Sequence, residues 1–207
     1  EGAAVASALD GFTRSLAKEL GRKGSTANLV RVEAGAEDRL EPVLRFLLSD
    51  RAVFVDGQPL DVTAMCAGSL PDWTPLIMTG RVALVTGAAQ GIGEATARRL
   101  ALEGCQVVVL DRPAEGAALA ELAREIAGVP LTVDITDAEA PAAIAAALTE
   151  LGGVHAVIHN AGVTRDKTLG RMDPERWDGL MDVNLGAILR IQAALEAGPL
   201  LDGARVV

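Results

Sequence analysis

The stretch RVALVTGAAQGIG, residues 81–93, decides the fold predicted for this chain. It has the pattern of a buried strand followed by a glycine-rich turn that opens a helix, predicted over 92–103. Gly87 permits the tight turn, Gly91 lets the backbone approach a pyrophosphate, and Gly93 allows the helix to pack closely on the strand. The N-terminus of the helix would then face the negative charge of a dinucleotide.

Four more strands are predicted after this turn, each separated from the next by a helix. The strands are QVVVLD (106–111), VPLTVDIT (129–136), VHAVIHN (154–160) and ARVV (204–207). The helices cover 117–126, 138–151 and 173 to about 197, the last opened by an Asp-Pro-Glu sequence. Strands of continuous Val, Ile and Leu imply a parallel sheet buried on both faces, with right-handed crossovers. The predicted fold class is α/β, a Rossmann-type doubly wound parallel sheet.

The first part of the chain has a shorter pattern of helix, strand, helix and strand. These elements are predicted at 3–20, 27–32, 37–48 and 58–62. The next stretch, TAMCAGSLPDWTPLIMTG, has no sustained period and predicts a linker, in which Trp73 and Leu76 either cover a domain edge or anchor a partner. The predicted segments are therefore 1–62, a linker at 63–80, and 81–207.

The composition excludes several classes of protein. Of 207 residues, 50% are hydrophobic and 23% charged, so the chain can bury a sizeable core. The net charge is −9 with scattered Lys and Arg, which argues against a nucleic-acid partner, and charges or glycines interrupt every apolar run before a membrane span is reached. Cys66 and Cys105 follow no disulfide or metal-binding pattern, and no signal peptide follows Glu1. We predict a cytoplasmic protein.

Asp111 ends the second strand of the predicted sheet, roughly 20 residues after Gly87, where an acidic residue binds the ribose of a dinucleotide. A carboxylate there accepts hydrogen bonds from the ribose hydroxyls and repels a 2′-phosphate. This predicts a preference for NAD(H), with NADP(H) possible because Arg112 has the opposite effect. The alternative is that Asp111 is only a turn residue before Pro113.

Four motifs resemble the short-chain dehydrogenase/reductase family. TGAAQGIG (86–93) resembles its glycine-rich turn, and HNAG (159–162) resembles its N-N-A-G motif. Asp134 in VDIT matches the family aspartate near the adenine, and Asn184 in DVNLGA matches the asparagine of the catalytic tetrad. The stretch HNAGVTRDKTLGRMDPERWDGLMDVNL is similar to that of 3-oxoacyl-[acyl-carrier-protein] reductases within the family.

The N-terminal segment resembles the other end of the same family. GFTRSLAKELGRKGSTANLV (11–30) and DRAVFVDGQPLDV (50–62) look like elements that follow the catalytic tyrosine. The tyrosine and lysine positions of Y-x-x-x-K then fall on Gly2 and Ala6. A degenerate first domain joined to a working second one resembles the high-molecular-weight reductases, so the chain looks like an internal fragment. The alternative is a circular permutation, in which both segments form one sheet.

The resemblance implies hydride transfer from a nicotinamide to a 3-oxoacyl thioester in fatty-acid metabolism. In the family a tyrosine donates the proton, a lysine lowers its pKa and a serine polarises the ketone. The chain contains no tyrosine, and Asn184 is the one tetrad member carried over, so the fragment is expected to be inactive. GPLLDG (198–203) lacks a basic residue, which favours coenzyme A over an acidic carrier protein as the acyl carrier. The intact protein is expected to be a homo-oligomer.

The motifs and the resemblance together predict the site. The predicted cofactor-binding residues are Gly87, Gln90, Gly91, Ile92, Gly93, Asp111, Asp134, Ile135, Asn160, Ala161 and Gly162. Asn184 is the predicted catalytic residue, with a polar residue at a helix kink as its alternative, and His155 and His159 are predicted to be packed. Two other functions stay open: a non-catalytic dinucleotide-binding or scaffold protein, and a dehydrogenase for another alcohol or ketone.

Overall fold

A computed structural model describes residues 2–65, 78–165 and 168–207. The chain divides into two compact units, Glu1–Pro71 and Asp72–Val207, with the boundary inside the predicted linker. Trp73, Leu76 and Cys66 lie outside the described residues, whereas Cys105 is a buried free thiol. In the described part of the chain, no helix has both the length and the hydropathy needed to cross a membrane.

The N-terminal unit has the predicted order of elements. It contains α1 (Gly2–Gly21), β1 (Leu29–Val32), α2 (Leu40–Leu47) and β2 (Pro59–Val62), with 3-10 turns at Glu37–Arg39 and Asp50–Ala52. The two strands are parallel, and Leu29 pairs with Pro59. The helix predicted over 37–48 therefore begins as a 3-10 turn. Since the sheet has two strands, much apolar surface remains exposed, including Phe12 on α1.

The C-terminal unit is an alternation of strands and helices. Its elements are β3 (Val82–Thr86), α3 (Gly91–Leu102), β4 (Gln106–Asp111), α4 (Gly116–Ile126), β5 (Val129–Thr132), α5 (Ala140–Glu150), β6 (Val154–Ile158), α6 (Pro174–Met181), α7 (Ala187–Glu196) and β7 (Leu200–Val206). The five strands lie in the order β5-β4-β3-β6-β7, and every neighbouring pair is parallel. The predicted α/β Rossmann-type sheet is confirmed.

Both faces of this sheet are covered, as the apolar strands predict. Along β3 the side chains alternate between two cores. Val82 and Leu84 pack with residues of α5 and α7, whereas Ala83 and Val85 pack with residues of α3 and α4. All of β3 is buried, which makes it the centre of the unit.

The strand predicted over 154–160 ends at Ile158 and the helix predicted over 138–151 begins at Ala140, and three elements of this unit differ more strongly from the prediction. The strand predicted over 129–136 ends at Thr132, because Asp134 begins a turn in which it accepts a hydrogen bond from the Thr136 N–H. The last strand begins at Leu200 instead of Ala204, and its pairing with β6 shifts register between Val154 and Ala156. The long helix keeps its predicted start, where Asp173 caps the Arg176 N–H, but a π-helical turn separates α6 from α7.

The described residues form two separate sheets, one of two strands and one of five. Each unit contributes its own parallel strands, and the candidate site lies within the second unit.

Candidate functional site

A crevice of about 360 Å³ lies at the carboxyl ends of the strands in the C-terminal unit. The chain leaves β3 for β4 on one side and reaches β6 on the other, so the order of the strands reverses at β3. In open α/β sheets ligands bind at this switch point. Eight predicted site residues line the crevice: Gly87, Gln90, Asp111, Asp134, Ile135, Asn160, Ala161 and Gly162.

The glycine-rich turn between β3 and α3 has a conformation that other residues would not adopt. Gly87 and Gly91 have φ angles of 65° and 63°, in the left-handed region. A Cβ on Gly93 would collide with the Gly87 carbonyl oxygen and lie 2.6 Å from Asn160 Nδ2. A Cβ on Gly87 would lie 2.9 Å from Ala161 Cα. Glycine is therefore required at both positions for the glycine-rich turn to pack against the first turn of α3 and the segment after β6.

Three of the predicted turn residues, Gly91, Ile92 and Gly93, are not in the lining of the crevice. They are the first residues of α3, where backbone N–H groups have no partner within the helix. The Ile92 side chain is largely exposed, and Gly93 is buried against the turn. Their position provides a helix N-terminus for an anion but puts no side chain into the crevice.

Thr86 joins the ends of β3 and β6, a role that the sequence analysis missed. Its buried hydroxyl oxygen accepts hydrogen bonds from the N–H groups of Asn160 and Ala161, both at 3.0 Å. Asn160 Nδ2 in turn donates to the carbonyl oxygens of Thr86 and Gly87, at 3.0 and 3.1 Å. These contacts hold the two segments that frame the switch point at a fixed separation. A polar residue at the end of an otherwise apolar strand was the available signal.

Asp111 lies at the end of β4 with its carboxylate in the crevice lining. Its Oδ2 accepts the Ala89 N–H at 2.9 Å, and its Oδ1 accepts the Arg112 N–H at 2.9 Å. The carboxylate is thus fixed against the glycine-rich turn. Because an ionised carboxylate has about four acceptor sites, two hydrogen bonds leave acceptor capacity toward the crevice. Asp111 is the last residue of β4, two residues before the 3-10 turn that begins at Pro113, and it also lines the crevice.

Asp134 lies in the turn that follows β5. Its Oδ1 accepts hydrogen bonds from the N–H and the hydroxyl of Thr136, at 3.0 and 2.7 Å. These two bonds hold the pKa of the Asp134 carboxyl below its usual value, and the charge of Arg112 adds a smaller contribution. Ile135 follows with its side chain buried in the core, so this turn is anchored from below.

Asn184 lies in the π-helical turn Asp182–Gly186 and is not in the crevice lining. Its Oδ1 accepts the Val163 N–H at 2.8 Å, and its Nδ2 donates to the Val163 carbonyl oxygen at 2.9 Å. This reciprocal pair ties the segment after β6 to the helix, next to Val163 and Val183 in the lining. The helix irregularity suggested by the alternative is present, and π-helical turns are frequent at functional sites.

The two histidines are packed, as predicted. His155 Nδ1 accepts the Val82 N–H at 3.1 Å. His159 is half-buried with Nε2 3.4 Å from Gln192 Oε1, and burial lowers the pKa of its imidazole while the contact with Gln192 opposes that change.

The charged groups of the crevice were only partly anticipated. Its lining contains three carboxylates, from Asp111, Glu115 and Asp134, and two guanidinium groups, from Arg112 and Arg165. Glu115 and Arg165 were not predicted as site residues: Glu115 belongs to no motif, and Arg165 lies in the reductase-like stretch after HNAG without an assigned role. The other unpredicted lining residues are Leu110, Val133, Thr136, Val163 and Val183. The lining thus combines apolar surface with three carboxylates and two guanidinium groups.

Comparison with known proteins adds to this geometry. The sequence profile of a family described as short chain dehydrogenase matches residues 81–203. The chain is 38% identical over 122 residues to the 3-oxoacyl-[acyl-carrier-protein] reductase FabG of Vibrio cholerae, a match that covers 58% of this chain and 50% of that protein. It is 35% identical over 129 residues to an acetoacetyl-CoA reductase of Allochromatium vinosum, covering 59% and 52%.

A solved structure also matches. It is a blue fluorescent protein from a metagenomic library in complex with NADPH, with a TM-score of 0.58 and 28% identity, covering 62% of this chain and 55% of that one. The chain spans about half the length of the curated relatives that it matches.

Proposed function

The chain belongs to the short chain dehydrogenase family, and from that premise we propose that its C-terminal unit is the dinucleotide-binding part of an NAD(H)-dependent 3-oxoacyl-thioester reductase. The observation that carries the proposal is the crevice at the strand switch point, closed on one side by a turn that accepts only glycine at Gly87 and Gly93. The names of the two enzyme relatives support a 3-oxoacyl substrate.

The residues present fit a nicotinamide dinucleotide. The turn at Gly87 and Gly91 brings backbone toward the space before α3, so a pyrophosphate would meet N–H groups and the positive end of the helix. Asp111 would hold the ribose beside the adenine, and Asp134 with Ile135 would line the adenine pocket. The segment Asn160–Gly162 would flank the nicotinamide side. Bound there, the nicotinamide supplies the hydride.

We assign a preference for NAD(H) to this site because of its charge. A 2′-phosphate carries nearly two negative charges, and the lining near Asp111 holds Glu115 and Asp134 as well. The Asp111 carboxylate would repel that phosphate, and Glu115 offsets the charge of Arg112, whereas the hydroxyl of NAD(H) can donate a hydrogen bond to Asp111. Because one structural neighbour was solved with NADPH, the affinities of this chain for NADH and NADPH have to be compared directly.

For the intact protein we propose an acyl thioester as substrate, with coenzyme A favoured over a carrier protein. GPLLDG (198–203) contains no basic residue, although Arg205 follows it in β7, and the chain has a net charge of −9. Long-range repulsion of an acidic carrier protein follows from that charge. The relatives include both a carrier-protein reductase and an acetoacetyl-CoA reductase, so both kinds of thioester are to be compared.

We also propose roles for parts of the chain outside the crevice. Asn184 would hold a proton-relay water, as the family resemblance implies, with the π-helical turn as its support. Residues 1–62 would be the end of a separate, degenerate domain of the same family. Exposed apolar side chains on the long helix, including Trp177 and Leu189, support a homo-oligomer of the intact protein.

A second candidate function is binding of a dinucleotide without catalysis of a reaction. The absence of tyrosine from the sequence favours this function for the isolated chain. Both functions need the same crevice. They therefore share the first experiment, which measures binding alone.

The test is a fluorescence titration of the 207-residue chain with NADH. Saturable binding is expected, and Gly93→Ala should weaken it at least tenfold because the added methyl group collides with the Gly87 carbonyl and Asn160. Gly179→Ala on α6 is the matched control, since a Cβ there meets no atom within 4 Å and binding should be unchanged. Circular dichroism of each variant separates lost binding from lost fold. Failure of the unaltered, folded chain to bind NADH or NADPH would refute the proposal.

A further inference from the structure

Arg112 is the basic residue closest in sequence to Asp111, and its environment is acidic. Its Nη2 lies 3.1 Å from Glu115 Oε1, and both side chains line the crevice. Its charge also reaches Asp134, where it contributes to lowering the pKa of that carboxyl. The guanidinium that could favour NADP(H) is therefore engaged by a carboxylate of this chain.

The backbone between these two residues brings them together. Arg112 precedes a 3-10 turn at Pro113–Glu115, and Pro113 occupies the first position of that turn. In a 3-10 turn, side chains three residues apart eclipse each other. The Glu115 carboxylate is thus aligned with the Arg112 side chain by the local fold. The pair is exposed on one side, with 57% of the Arg112 side chain and 30% of that of Glu115 accessible.

A guanidinium is a strong partner for a phosphate, because it offers a planar set of N–H donors. Glu115 engages the Nη2 group of Arg112 and offsets its charge, so the guanidinium offers its full charge and donor set to a 2′-phosphate only if it leaves Glu115. The 2′-hydroxyl of NAD(H) does not need a comparable contact with Arg112. The Arg112–Glu115 ion pair therefore opposes the binding of NADP(H) and leaves the binding of NAD(H) almost unaffected.

We propose that Glu115 is a specificity-determining residue, which disfavours NADPH by holding the Arg112 guanidinium in an ion pair at the edge of the crevice. The inference rests on the proposed dinucleotide function of that crevice. It assigns to the 3-10 turn after β4 a role in cofactor choice in addition to that of Asp111.

The test is the Kd of NADH and of NADPH for the 207-residue chain and for Glu115→Gln. Exposed ion pairs are worth up to about 1 kcal/mol, which corresponds to roughly fivefold in affinity. Glu115→Gln is therefore expected to lower the Kd of NADPH about fivefold and to change that of NADH less than twofold. Glu115 makes no side-chain hydrogen bond as the N-cap of α4, so its replacement removes no helix cap.

Two further variants separate this mechanism from a general charge effect. Glu121→Gln on α4 removes the same charge outside the crevice lining, and it should leave both Kd values unchanged. In the Arg112→Gln background, Glu115→Gln should give no gain in NADPH affinity. Two results would overturn the inference: a gain in NADPH affinity that persists without Arg112, or an unchanged ratio of the two Kd values in Glu115→Gln. In either case, NADH binding by the unaltered chain would still uphold the proposed function. If the unaltered chain binds neither nucleotide, both fall together.

Discussion

Replacing Thr86 by valine tests whether its hydroxyl holds the two strand ends that frame the crevice. Valine keeps the branched shape and removes the one acceptor shared by the N–H groups of Asn160 and Ala161. Thr86 is 2% exposed, so water replaces that acceptor poorly. The substitution therefore removes hydrogen bonds without opening a cavity.

The size of the effect follows from the number of donors left without a partner. A buried polar group that loses its hydrogen bond costs about 1–3 kcal/mol. One donor, the Ala161 N–H, is left without a partner, whereas the Asn160 N–H keeps the Ile158 carbonyl oxygen at 3.0 Å and loses one of two acceptors. Both residues are half-buried and can recover part of the loss through water. We expect a total of about 2 kcal/mol, which corresponds to roughly thirtyfold in an opening equilibrium.

Hydrogen exchange measured by mass spectrometry is the appropriate assay, because it resolves the opening of one segment in a chain of two units. In Thr86→Val, peptides covering Asn160 and Ala161 should exchange about thirtyfold faster. Thr149→Val is the matched control, since the Thr149 hydroxyl donates to the Ala145 carbonyl on the exposed side of α5. If both variants exchange at the same rate in this segment, the Thr86 hydroxyl does not hold the strand ends, and the account of the crevice frame is wrong.

Two further results are expected. A carboxyl whose pKa is lowered in the folded state stabilises the fold above its unfolded pKa of about 3.9, and this contribution is lost as the pH falls through the folded pKa. Asp134→Asn should therefore reduce the fall in melting temperature between about pH 6 and pH 3, and an unchanged fall would show that Asp134 does not contribute to it. The 207-residue chain, incubated with NADH and acetoacetyl-CoA, should oxidise NADH no faster than buffer does, because it contains no tyrosine to donate the proton. Turnover well above buffer would mean that another group donates it.

The five-stranded sheet could be predicted because its signals are local. Each strand is a short run of Val, Ile and Leu, and each helix has apolar positions at helical spacing, so the succession of elements and the parallel direction of the strands could be predicted. The glycine-rich turn was equally visible, since Gly87 and Gly93 are required by contacts within one strand–turn–helix unit. Asp111 was found from its distance along the chain.

Other features depend on contacts between distant parts of the chain. The sequence DVNLG contains no proline, and its π-helical turn goes together with the contacts that Asn184 makes with Val163. Gly203 has a φ of 73° inside β7, so the first half of that strand resembles a turn in sequence. The role of Thr86 depends on β6, more than 70 residues away. Glu115 became a candidate only when its distance to Arg112 was known.

The π-helical turn sets the rotational phase between the two halves of the long helix. Each residue of an α-helix advances the chain by about 100°, and a π-helical turn takes up one residue more than an α-helical one. On α7 the buried side chains are those of Ala187, Ile191 and Leu195, which face the core at a spacing of four. Deleting one residue between Asp182 and Gly186 would restore a regular helix with α6 and α7 in nearly the same relative phase. If all five residues formed regular α-helix instead, α6 would be rotated by about 100° relative to that buried face. The extra residue thus lets the long helix present its buried face to the core and contact the segment after β6 at the same time.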